Sequence, residues 1–67
     1  MIEAIVNGEH RGLPRGSTVD DVVALLSSSR AGIAVAVNGL VIARSNWQLA
    51  AIEPGDVVEV LTAAQGG

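Results

Sequence analysis

The chain has 67 residues, four arginines, no lysine and seven acidic residues, for a net charge of −3. Its length allows one domain with a small core. The acidic balance and the lack of a basic stripe argue against a nucleic-acid partner, and no apolar run reaches the length of a membrane span. The absence of cysteine rules out disulfides and thiolate metal sites within the chain.

In chain order, "MIEAIV" reads as a first strand, with Ile2, Ala4 and Val6 on one face. Asn7-Gly8 is a tight-hairpin signal, because both residues tolerate positive φ. "EHRGLP" is then a returning strand, expected to be short or ragged because of Gly12 and Pro14. "STVDDVVALLSS" predicts a helix. Ser17 or Thr18 can cap it, and Asp20 and Asp21 suit the positive end of its dipole. Val19, Val22, Val23 and Leu26 form an apolar stripe. Gly32 is placed to end the helix in the left-handed region. "IAVAVN" predicts a central strand, Asn38-Gly39 a second hairpin, and "LVIA" its return. "RSNWQLAAI" reads as irregular or a short helical turn. Glu53-Pro54-Gly55-Asp56 suits a type II turn. "VVEVLTA" is a last, β-branched strand. "AQGG" has nothing bulky to dock and is expected to be a flexible tail.

One helix against a mixed sheet of four to five strands is the two-layer solution for this order, an α+β arrangement with the layout of the β-grasp, or ubiquitin-like, fold. The domain is expected to span residues 1–63 and the tail 64–67. A single helix leaves one sheet face open. If Val58 and Val60 face the helix, then Val57, Glu59 and Leu61 point outward and form a candidate partner-docking patch.

No catalytic constellation emerges. Asp20 and Asp21 read as first-turn helix acids before they read as an acid–base pair. His10 with Glu9 reads as a solvated hairpin edge. Ser27, Ser28 and Ser29 have no base nearby, and no phosphate-loop pattern is present. A tail of two glycines is the more suggestive feature. Glycine has no Cβ and wide backbone freedom, so a Gly-Gly end suits a narrow enzyme site that must reach a carboxylate. Four residues, Ala64 to Gly67, extend to roughly 13–14 Å.

These residues together resemble the ThiS-type sulfur carrier proteins of thiamine biosynthesis. The resemblance covers the whole chain. It is carried by the early Asn7, "STVDDVVALL", "IAVAVNGLVIARSNW", "EPGDVVEV" and the closing "GG". Members often read hydrophobic-Pro-Arg-x-x-Trp after the second hairpin. Here the segment is Ile42-Ala43-Arg44-Ser45-Asn46-Trp47, so Arg44 and Trp47 match and Ala43 departs.

The resemblance implies a non-enzymatic carrier in the cytoplasm. It implies covalent adenylate and sulfur attachment at Gly67, and threading of Ala64, Gln65 and Gly66 into the partner. It further implies a ThiF-type adenylyltransferase that uses ATP and magnesium, a sulfur donor protein, and a ThiG-type thiazole synthase. No cofactor is expected on the chain itself, nor a nucleic-acid or membrane partner. The same tail chemistry belongs to the small subunit of molybdopterin synthase, and a ubiquitin-like modifier shares the Gly-Gly end. Trp47 is expected in the core or at its rim. Arg44 is open to pairing with a carboxylate of the partner or of its own fold.

Overall fold

The computed structural model describes residues 1–62. The expected tail, residues 64–67, and the domain boundary at 63 lie outside the described residues.

β1 (Ile2–Val6) and β2 (Glu9–Leu13) form the first hairpin. Asn7 and Gly8 turn it with φ of 50° and 82°, the pair of positive values that matches strand twist in a two-residue loop. The returning strand is regular, contrary to expectation. Its register runs without interruption from Val6 opposite Glu9 to Ile2 opposite Leu13. Gly12 simply pairs with Glu3, and Pro14 falls after the last pair, where no ladder bond is asked of it.

α1 (Val19–Leu26) begins at Thr18 in a reciprocal capping box. Thr18 Oγ1 accepts from the Asp21 N–H at 3.3 Å, and Asp21 Oδ2 accepts from the Thr18 N–H at 2.9 Å. The remaining free donors of the first turn are met from elsewhere in the chain. Val19 N–H donates to the Ala50 carbonyl at 2.9 Å, and Asp20 N–H to the Trp47 carbonyl at 3.1 Å. The helix start is thus fastened to the segment that precedes the last strand. Replacing Thr18 by Ala should cost about 0.5–2 kcal/mol. In a domain this small that should lower the melting temperature by several degrees, measurable by far-UV circular dichroism.

Val19, Val22 and Val23 are buried as the stripe requires, but Leu26, the last helical residue, is 38% exposed. Nor does Gly32 end the helix. Ser27 steps into extended backbone at φ −149° and closes the last turn with its N–H on the Val23 carbonyl. Its hydroxyl then donates to the Ser29 carbonyl at 2.7 Å, a local bond that competes with helix continuation. Gly32 does adopt positive φ, 71°, but in the turn into the next strand.

β3 (Ile33–Val37) and β4 (Leu40–Ile42) form the second hairpin about Asn38-Gly39. A single 3-10 turn, Arg44–Asn46, follows. The Glu53–Asp56 turn, with Gly55 at φ 85°, feeds β5 (Val57–Thr62). The five strands lie in the order β2-β1-β5-β3-β4. β1 and β5 are parallel and every other pair is antiparallel. β5 is therefore the central strand, and β3 is an inner strand between it and β4.

Asn7 has a second duty. Its Oδ1 accepts from the Val60 N–H at 2.8 Å, one step beyond the bond from its own N–H to the Val58 carbonyl. The side chain prolongs the β1–β5 ladder past the point where β1 has turned away. Asn38 does similar work at the opposite corner. It accepts from the Val57 N–H and donates to Asp56, tying the second hairpin to the Glu53–Asp56 turn.

The core lies between α1 and the covered sheet face. It comprises Ile2, Ala4, Val6, Leu13, Val19, Val22, Val23, Val35, Trp47, Ile52, Val58 and Val60. Most members are valine or smaller, so Trp47 is by far its largest side chain. Trp47 is 2% exposed, and its indole N–H donates to the Ile42 carbonyl at 3.0 Å. The core placement expected for it holds.

Candidate functional site

The open sheet face is built from strand alternation. Val58 and Val60 face the helix, which forces Val57, Glu59 and Leu61 to the other side. Val57 is 42% exposed and Leu61 65%. Residues directly opposite on neighbouring strands share a face. Ile5 therefore stands beside Val57, Ala36 beside Glu59, and Ala34 beside Leu61. Val41 continues the row beyond Ala36 and is also exposed. The result is an aliphatic band across the middle of the sheet, with Glu59 as its central charge. Two alanines keep the band low, so Leu61 stands proud of its neighbours on β3.

β5 runs across this face and delivers the chain to Thr62. Gly67, Gly66, Gln65 and Ala64 follow outside the described residues. An open groove of about 320 Å³ lies at this end, lined by Gly32, Ile33, Ala34, Arg44, Leu61 and Thr62.

Arg44 is the polar feature of the groove. The Arg-x-x-Trp spacing brings Arg44 and Trp47 together across one 3-10 turn, with the guanidinium 5.5 Å from the indole centroid. One Arg44 nitrogen, Nη2, donates to the Arg30 carbonyl at 2.7 Å. Among the described residues its partner is thus a backbone oxygen, not a carboxylate of its own fold. Arg30 in turn grips Asp20 through two bonds of 2.7 and 3.0 Å. That hydrogen bonding holds the Asp20 carboxyl below its ordinary value and raises the Arg30 guanidinium. Sequence reasoning saw Arg44 and Trp47 through their spacing. It did not see Arg30, whose role depends on a loop closing back onto α1.

The groups weighed for catalysis do not converge. Asp21 belongs to the capping box and Asp20 to Arg30. His10 is exposed, and its nearest acid is Glu3 on the neighbouring strand, at 3.4 Å, in place of the adjacent Glu9. Alternation explains this: successive residues of β2 point to opposite faces. Ser27 and Ser29 bond to nearby backbone. A second recess of about 300 Å³ lies between Ile2, Gly16, Ile52 and Pro54, with Arg15 and Glu53 at its margin. Among the described residues no group of three or more His, Asp or Glu side chains is arranged to hold a metal ion, and no helix is long and apolar enough to cross a membrane.

The sequence model of the ThiS family matches residues 4–67, nearly the whole chain and through both closing glycines. The chain belongs to the ThiS family. A solved structure agrees. The crystal structure of the thiamine biosynthesis protein ThiS from Geobacter metallireducens superimposes with a TM-score of 0.78 at 26% identity. The match covers 98% of this chain and 100% of that one. No curated protein sequence matches. The ThiS fold is the β-grasp expected from the order of elements, one helix on a five-stranded mixed sheet. The ThiS match also runs through the Arg44–Trp47 segment and the residues beyond Thr62.

Proposed function

We propose that this chain is a cytoplasmic sulfur carrier of thiamine biosynthesis whose Gly67 carboxylate is converted to a thiocarboxylate. The observation that carries this reading is the family match, which continues past the described residues through Gly67. The chain acts as a co-substrate and brings no catalytic group of its own. A carboxylate is inert toward sulfur nucleophiles until it is activated. In the proposed sequence, a ThiF-type enzyme with ATP and magnesium supplies the activation. A Gly67 oxygen attacks the α-phosphorus of ATP and pyrophosphate leaves. The terminal sulfur of a donor protein's persulfide then attacks the acyl carbon and AMP leaves. A donor thiol cleaves the remaining S–S bond, becoming a disulfide, and the thiocarboxylate is freed. A ThiG-type thiazole synthase would take that sulfur into the thiazole ring.

The chain's part in this is docking and reach. Val57, Glu59 and Leu61 present a surface that places the start of the tail, while Ala64, Gln65 and Gly66 carry Gly67 inward. The test is reconstitution with the cognate adenylating enzyme, ATP, magnesium and a persulfide donor. Intact mass should rise by the difference between sulfur and oxygen, and fragmentation should place the change on Gly67. A product that feeds a molybdopterin synthase and not a thiazole synthase would keep the chemistry and overturn the pathway.

The docking face has its own test. Leu61 is 65% exposed, so Leu61→Asp should shift stability by only about 0.5 kcal/mol. Binding to the adenylating enzyme should weaken at least about tenfold, read by titration calorimetry. Unchanged binding by the folded variant would remove Leu61 from the interface.

A further inference from the structure

We propose that Arg44 and the groove beside it form a receptor for one carboxylate side chain, an Asp or Glu of the protein that takes up Gly67. This deepens the carrier reading and rests on it. Three observations lead there. First, the guanidinium is held before any partner arrives. Arg44 Nη2 sits 2.7 Å from the Arg30 carbonyl, and the group lies over the ring of the buried Trp47. An exposed arginine ordinarily loses side-chain freedom when it pairs. Here part of that loss occurs on folding, through the Arg30 carbonyl and the Trp47 ring.

Second, the guanidinium is left with donors to spare. It has five N–H groups in a planar fork, and one bond to the backbone is formed. Arg30 finds Asp20, but no carboxylate among the described residues lies within 4 Å of Arg44. Among the described residues the cation therefore has no carboxylate partner, in a chain whose net charge is −3.

Third, the position is selective. The groove joins Arg44 to Leu61 on the open face and to Thr62, five residues before Gly67. Gly32 and Ala34 leave room for an incoming side chain, and Ile33 and Leu61 flank it with apolar surface that its methylene groups can cover. Arg44 is the single cation of the lining. A flat, singly charged carboxylate fits one fork with two parallel bonds, whereas a phosphate calls for further donors. The partner's acid would register the body so that the tail enters at a fixed distance from the activating site.

The experiment measures binding of the full chain to the cognate adenylating enzyme by calorimetry at low and high salt. Intact-mass thiolation and melting temperature are followed in parallel. Arg44→Gln should weaken binding about 10- to 100-fold and flatten its salt dependence. Arg44→Lys should recover only part, because a point charge replaces a fork. Arg44→Glu should bind worst and be rescued by reversing the partner's acid. Ala34→Gln leaves every Arg44 bond in place and should weaken binding by filling the groove, which separates docking from any loss of folding. If wild type is thiolated while Arg44→Gln, Arg44→Glu and Ala34→Gln bind as it does, this proposal falls alone. If wild type is neither bound nor thiolated, the carrier reading falls and takes this one with it. If amidating the Gly67 carboxyl of the isolated chain shifts the Arg44 guanidinium NMR signal as an anion leaving would, the occupant is the chain's own carboxylate and the proposal is overturned.

Discussion

Deleting Gly67 should abolish thiolation while leaving the folded body as stable as before. Each residue of extended chain contributes about 3.3–3.6 Å of reach. With the body docked through the sheet face as proposed, the shortened carboxylate would stop short by that distance. A misplacement of about 1 Å can cost about 100-fold in a reaction that depends on near-attack geometry. The expected loss is therefore larger than 100-fold. Adding one alanine after Gly67 should fail as well. The carboxylate then overshoots, and a Cβ enters a passage suited to glycine. Neither change alters a core residue of the described part of the chain, where the core runs from Ile2 to Val60. Melting temperatures should therefore match the parent. Quantitative intact-mass spectrometry after a fixed reaction time measures the effect. Equal thiolation of the parent, shortened and extended chains would make the closing glycines incidental and end the carrier reading.

Local chemistry made much of this fold legible. Asn-Gly occurs at both hairpins, and both pairs take the positive φ values that the dipeptide favours. Alternation tied an outward Leu61 to inward Val58 and Val60, and the burial of those two valines settles which face is which. The helix start was open to reading in part: Ser17 or Thr18 was the expected cap, and Thr18 is the residue that caps it, in a box with Asp21. The errors arose where a local signal had a competing use. Gly32 carries the left-handed backbone expected of it, but six residues after Leu26, because Ser27 had already diverted the chain. Gly12 suggested a ragged strand, yet five consecutive pairs with β1 hold β2 straight. Glu9 is beside His10 in sequence and points away from it in space. The Arg30–Arg44 contact joins residues fourteen apart through a side chain and a backbone oxygen. No periodicity or spacing encodes such a bond, so the feature that organises the groove was the least legible part of the site.

Replacing Trp47 by alanine should remove roughly a third or more of the protein's stability and lower its melting temperature steeply. A large buried aromatic cut to a methyl costs about 3–5 kcal/mol in transfer and cavity terms. At roughly 0.05–0.15 kcal/mol per residue, a domain of 67 residues is stable by only about 3–10 kcal/mol. The core has little with which to refill the space, since most of its members are Val or Ala. Three other fastenings depend on the same residue. Its indole N–H meets the Ile42 carbonyl, its own carbonyl receives the Asp20 N–H of the helix start, and its ring supports Arg44. Trp47→Phe separates these roles. It keeps most of the apolar volume and the backbone bonds, and it leaves the Ile42 carbonyl without its donor, a loss of about 1–3 kcal/mol. The phenylalanine variant should therefore fold, melt well below the parent, and still bind the adenylating enzyme, because its ring can carry the guanidinium. Far-UV circular dichroism measures both variants without needing the indole signal. A Trp47→Ala chain that melts within a few degrees of wild type would show that the ring is dispensable to the core. A Trp47→Phe chain that folds but no longer binds would give the indole itself a direct part in docking.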